Sequence, residues 1–455
     1  MKLYRYRSIK SALAELEDGA FYFAEPRELN DPIEGYAKIF LQGDAPAWEG
    51  LLKNFVCSMF YALQTHLLMA GRFHGAAQEN FLSDLQSRSL LPNLRHFDES
   101  SLSRIFAELA ENFLAEDVVR QVVDFYGGGN VKCYGRELEF ILRTVTNAAL
   151  KISVGKCKTL GLIRDDFNEN FFDVAYEISF DELKSATDAE RKRRIDELEN
   201  LNCDVMESGL LALKLNRPSS NTAFRFKQNL LWLQFVFPRS YCDRLKEIIY
   251  PNGYVVCFSD TPTNSAMWGN YADNHCGVCF VYETKTFDGR ECINFAAKSL
   301  EVKPIKYSAQ VIERNFFDTL RHLSFVSAED WLTGRGGVRS SKLDETLADI
   351  YDADYREKFY RKLNDWCHEH EHRLFLPDKF YRYGDRLARR LRYDVDALKG
   401  IIFGIRTSID DKLELIQRLV RLRKSLHDFE FWQAEYDDET QLISVREKNL
   451  LINIQ

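Results

Sequence analysis

Apolar and polar positions alternate in three ways along this chain, and each marks a different region. At the start, Leu3-Tyr4-Arg5-Tyr6-Arg7 alternates with period two. That predicts a strand with Tyr4 and Tyr6 on one face and Arg5 and Arg7 on the other. Ser8 is placed to cap a short helix through Leu16, with Gly19 just past its end. Residues 20–24 read as a second strand. Asn30-Asp31-Pro32 reads as a turn, because an Asx side chain bonds its own backbone and proline fixes φ.

From Trp48 to about Ser240 the period becomes helical, over residues 51–71, 82–91, 101–125, 137–154 and 180–200. The run Gly127-Gly128-Gly129-Asn130 interrupts it. A third texture fills residues 255–283. An apolar run at 255–258 predicts a buried strand, and the turn-rich 259–265 follows. Residues 266–272 then predict a short helix with Trp268 and Tyr271 three apart on one face. A second apolar run closes the segment. Stacking surfaces are thereby held beside a rigid sheet, as a cleft requires; an aromatic plug in the core is the plainer alternative.

Further on, Val302 to Tyr307 reads as an edge strand, since Pro304 is tolerated there. Helices are expected at 311–325, 343–366 and 411–427. Strands are expected at 401–403 and, as a closing pair, within 430–453. The sum is an α+β protein. Its β-rich domain is split between the chain ends (1–47 and 246–455) around a mostly helical insertion (48–245).

Composition narrows the function. The chain has 455 residues, 45% of them hydrophobic, enough for two or three domains. A net charge of −8 gives no global field toward nucleic acid or anionic membrane. Ten cysteines include one C-x-x-C, Cys276 and Cys279; a zinc ribbon needs two such pairs. The N-terminus lacks an apolar signal core and no run nears the ~18 residues of a membrane span. A cytoplasmic protein without membrane contact is expected.

Glu369-His370-Glu371-His372-Arg373 is the sharpest local signal. On a strand, Glu369, Glu371 and Arg373 share one face, and His368, His370 and His372 the other. Carboxylates two residues apart repel, so one pKa rises unless Arg373 or another cation intervenes. Such a pair suits stabilisation of a developing cationic sugar, or general acid/base work. The histidine face, with His275, offers a metal-dependent hydrolase as a rival. Asn30, Asp31, Glu34, Arg5 and Arg7 are further polar candidates. The basic loop at 333–337 lacks the G-K-[ST] ending of a phosphate loop. Arg382, Arg386, Arg389, Arg390 and Arg392 form a basic stretch that fits a solvated helix face or a steering surface.

Together, Leu3 to Arg7, Asn30 to Glu34, Cys257 to Ser259, Met267 to Gly277, Trp366 to Arg373 and Ile401 to Gly404 resemble a bacterial family of unknown function. Its members include proteins linked to abortive infection and phage defence. That family is distantly similar to ADP-ribosyltransferases. The resemblance implies a split β-rich ADP-ribosyltransferase-like domain that cleaves NAD, the nucleotide substrate. ADP-ribose would pass to a macromolecular acceptor, nucleic acid or protein, in a defence or toxin role. It implies Glu371, with Glu369, as catalytic. It places Arg5, Tyr6, Asn30, Asp31, Glu34, Trp268, Tyr271, His275 and Arg373 around the nucleotide, with no metal required. An oligomer is compatible with it. A Ser-Thr-Ser after the central strand is missing; Cys257-Phe258-Ser259 stands there instead. The rival from another class is a non-catalytic nucleotide-sensing or interaction module with the same aromatic cleft.

Overall fold

A computed structural model describes residues 1–69, 101–163, 180–215, 232–250, 252–321, 345–378, 382–423 and 426–448. The helix expected at 82–91 and the glycine-rich loop at 333–337 lie outside them. The chain forms two compact units. One comprises Met1–Ala37, Pro251–Ile312 and Ala353–Gln455; the other comprises Lys38–Tyr250 and Glu313–Asp352. Helix and sheet are both abundant, so the fold is α+β. The helical unit also takes in Glu313–Asp352, which the sequence reading assigned to the C-terminal part.

In the helical unit, Ala45–Met69, Ser101–Leu114, Asp117–Tyr126, Gly135–Thr159, Asp188–Leu215 and Phe237–Ile249 are helices. Their core holds Trp48, Phe55, Tyr126, Leu142 and Tyr241, all buried. Two of the tyrosines taken inside pair their hydroxyls, as burial favours. The Tyr126 hydroxyl donates to Glu137 at 2.7 Å, and Tyr241 to Asn54 at 2.9 Å.

The other unit is built on a ten-stranded sheet. Its strands, numbered in chain order, are β1 Lys2–Arg7, β2 Gly253–Ser259, β3 Val278–Glu283, β4 Lys285–Phe287 and β5 Arg290–Asn294. They continue with β6 Ser299–Pro304, β7 Glu371–Pro377, β8 Leu398–Phe403, β9 Glu430–Asp437 and β10 Leu442–Glu447. The spatial order is β10-β9-β8-β3-β1-β2-β7-β6-β5-β4. The first strand therefore lies at the centre, beside segments some 250 residues away in sequence. Helix α1, Ile9–Asp18, starts on Ser8, whose hydroxyl accepts from the Ser11 amide, and ends at Gly19 with φ 59. Only glycine adopts that left-handed conformation without strain. Residues Ala12 and Leu16 of α1, with Leu415 and Leu419 of the helix Ile409–Leu422, share one core with Leu3, Phe258 and Phe280 of the sheet and with Phe21.

Three sequence expectations shift in register or type. Ser299–Pro304 is an inner strand, with Pro304 as its last residue, where a missing amide costs least. Within the helix expected at 311–325, Ile312–Asn315 is a strand and Phe316–Arg321 is helical, and residues 322–325 lie outside the described residues. The helix expected at 343–366 ends at Glu357; a 3-10 turn, the strand Arg361–Leu363 and a second 3-10 turn, Asn364–Glu369, follow. This last change sets the chemistry of the site.

Candidate functional site

The two central strands β1 and β2 meet at one register pair, Tyr4 with Ser259. Beyond it they part, and β2 turns to Ala24 instead, through reciprocal Ala24–Val255 hydrogen bonds of 2.9 Å. The opening holds a cleft of about 310 Å³. Tyr4, Tyr6, Tyr22, Met267 and Tyr271 supply apolar wall; Asn30, Lys362, Glu369, Glu371 and Arg373 supply polar groups.

The polar end is a network of buried ions. Arg373 chelates Glu371, Nε to Oε1 at 2.6 Å and Nη2 to Oε2 at 2.8 Å. Its Nη1 donates to Glu34 at 2.7 Å. The Lys362 ammonium donates to Glu369 at 2.6 Å and Glu371 at 3.2 Å, with Glu34 at 3.5 Å. All five side chains are at most 5% exposed. Counted formally, three carboxylates face two cations in the network, and the negative excess includes Glu34, which stands behind the cleft lining. Burial alone would raise the Glu371 pKa, but Arg373 and Lys362 hold it down at about 2. Burial would likewise lower the Lys362 pKa, and the carboxylates of Glu371, Glu34 and Glu369 raise it instead. Unpaired, any one of these charges would be strongly unfavourable.

The backbone explains how neighbours in sequence converge. Glu369 ends a 3-10 turn and β7 begins at Glu371. His370 between them is left-handed, with φ 49. The expected strand through 369–373 is thus replaced by a corner, yet both carboxylates still reach Lys362. Ser259 fixes the corner by donating to the Glu369 carbonyl at 2.9 Å, and the Glu371 amide donates to the Tyr307 hydroxyl at 2.9 Å. The three histidines do not share a strand face, since only His372 lies on β7. Among the described residues no group of three or more His, Cys, Asp or Glu side chains is arranged to hold a metal ion. Cys279 is buried and Cys276 partly so, both as free thiols.

The other sequence candidates divide. Tyr271 reaches the network, its hydroxyl donating to Glu369. Burial and that carboxylate push its pKa up, so it is a neutral donor. Trp268, on the same helix Ser265–Tyr271, is fully buried. Its ring meets Tyr6 edge-on at 5.1 Å and its Nε1 donates to the Pro262 carbonyl at 2.8 Å. It is the core plug, outside the cleft lining. His275 also lies outside: it is left-handed, with φ 71, and stacks on Trp268 at 6.4 Å. Asp31 does what its turn requires, accepting from the Ile33 amide at 3.0 Å. Asn30 lines the cleft. Arg5 lines it too, but its guanidinium points to the opposite side of the sheet. There it donates to Glu15 at 3.1 Å and to the Cys257 carbonyl at 2.8 Å, between Phe21 and Phe258. As a free phosphate ligand it is therefore corrected: Glu15, which it shares with Arg7, already engages it. Lys362, Met267 and Tyr22 are cleft residues that sequence reasoning missed.

A model of a protein family of unknown function, DUF2971, matches residues 267–374. The matched span starts at Met267 and ends just past Arg373, so it takes in Tyr271, Lys362, Glu369 and Glu371. No curated protein and no solved structure matches the chain. Among the described residues no helix is long and apolar enough to cross a membrane.

Proposed function

We propose that the cleft binds a nucleotide, NAD foremost, and that its acidic end promotes cleavage of the nicotinamide–ribose bond. One observation carries this reading: Glu371 is a carboxylate kept ionised, at about 2, at the buried end of a tyrosine-walled cleft. As nicotinamide leaves with the bonding electron pair, positive charge develops across ribose C1 and its ring oxygen. A fixed negative excess next to that centre stabilises the transition state more than the ground state. The tyrosine walls offer stacking surfaces for planar rings. Water or a macromolecular nucleophile then attacks C1, giving hydrolysis or ADP-ribosyl transfer. Either outcome suits an anti-phage or toxin role, the setting implied by the resemblance. The test is nicotinamide release from NAD by the purified protein, alone and with cell extract. Loss of release in Glu371→Gln supports the reading. No release by the wild type under either condition overturns it.

A second reading rests on a specific observation. Both Glu371 oxygens already accept from Arg373 and Lys362. A carboxylate so fully engaged suits a cleft that senses a nucleotide without cleaving it. Binding of NAD without turnover would select this reading.

A further inference from the structure

Each cation in the cleft lining already touches a carboxylate: Arg5 and Arg7 share the single Glu15, and Lys362 and Arg373 serve the glutamate network. A second group of cations, with a donor free to take an anion, stands at the lip. At the lip of the cleft, Glu28 and Tyr22 belong to the lining. The Glu28 carboxylate there sits in a basket of donors from two stretches of chain, 22–25 and 386–389. It accepts from the Tyr22 hydroxyl at 2.7 Å, from the Glu25 amide at 3.0 Å and from Arg386. Arg389 Nη1 lies 3.5 Å from it.

Arg389 is the informative member. It is 7% exposed, and its Nε and Nη2 are pinned on the carbonyls of Tyr383 and Gly384 at 2.9 and 3.2 Å. Among the described residues its Nη1 is buried without a hydrogen-bond partner, although Glu25 and Glu28 stand 3.7 and 3.5 Å away. An unmade bond on a buried charged donor is unfavourable, and a better-placed anion would recover it. Arg386 is mostly exposed and free to reorient. These arginines lie on a 3-10 turn and its approach, not on the solvated helix face that the sequence suggested.

We infer that this basket is an anion seat for a phosphate or diphosphate group of the cleft's ligand, and that Glu28 occupies it in the ligand's absence. The inference rests on the cleft being the ligand site. A phosphate brings more acceptor oxygens than a carboxylate, so it can engage both arginines and the Tyr22 hydroxyl while Glu28 swings to solvent. Glu28 thus selects for ligands whose anionic charge exceeds its own.

The test is calorimetric titration of inorganic pyrophosphate into the full-length protein. Glu28→Ala is expected to bind it at least tenfold more tightly than the wild type. The double variant Glu28→Ala/Arg386→Gln is expected to lose that gain. Asp410→Asn removes an exposed carboxylate elsewhere and is expected to leave affinity within twofold, separating the seat from a bulk charge effect. Glu28→Gln keeps the side chain that closes the local helix cap, and covers the case in which alanine disturbs the fold. No gain in either Glu28 variant, or an equal gain in Asp410→Asn, overturns the inference. Pyrophosphate has no glycosidic bond, so its binding is read independently of NAD cleavage. A gain without nicotinamide release would keep the seat and retire the reaction.

Discussion

Arg373 holds Glu371 by two parallel hydrogen bonds, 2.6 and 2.8 Å long, from two residues along the same strand. Side chains at i and i+2 share a strand face, so this fork needs no long-range fold to assemble. The long-range fold supplies Glu34 and Lys362, which complete the network.

The fork has a pH signature. The folded pKa of Glu371 is depressed from the usual 4.5 to about 2. A depressed carboxyl contributes stability that is complete above the unfolded value and is lost as pH falls through the folded one. The window is therefore from about pH 4.5 down to about pH 2, and the contribution is on the order of 3 kcal/mol. Melting temperature measured across that window should fall more steeply for the wild type than for Glu371→Gln. Parallel curves would contradict the assignment.

Glu371→Gln should also lower nicotinamide release by about a hundredfold or more, the usual size of a lost electrostatic contact in the transition state. Pyrophosphate affinity should change by less than threefold in the same protein, because the proposed seat at Glu28 is separate from the fork. Release rate and calorimetry on one preparation decide the matter.

Lys362 is the cation between Glu369 and Glu371. In Lys362→Met the two carboxylates lose the cation they share while Arg373 still holds Glu371, and one of them is expected to titrate upward by about one pH unit. The acid limb of the activity profile, or of NAD affinity if there is no turnover, should move to higher pH accordingly. A profile that keeps its midpoint would show that Lys362 serves only the fold.

Trp268 and Tyr271 are three residues apart on one helix and should behave as opposites. Trp268→Ala empties a fully buried site and should cost about 3–5 kcal/mol in denaturant unfolding. Tyr271→Phe removes the donor to Glu369 and should cost about 1–3 kcal/mol, with a larger loss of release than of stability. If the tyrosine variant keeps full activity, Tyr271 is wall only.

Much of the β-rich unit was legible because its signals are local. The alternation of Leu3 to Arg7, the Ser8 cap and the Gly19 stop each fix one element. The carboxylate pair was legible as a pair, but its geometry was not. The strand Arg361–Leu363 has only three residues, too few to show a period of two, so Lys362 was hidden inside an expected helix. The αL turn at His370 was equally silent, since positive φ is uncommon for any non-glycine residue, and the enrichment of histidine there does not single out one position. Arg5 was misread because its partner Glu15 lies on the next element, and adjacency of that kind is tertiary information.

The parting of β1 from β2 divides the sheet's hydrogen-bond ladder near its middle. Five strands lie on either side of that seam, joined across it by the pair Tyr4–Ser259. A guest molecule lodged there would act as a rivet between the two panels, so its arrival would be felt as slower amide exchange on both.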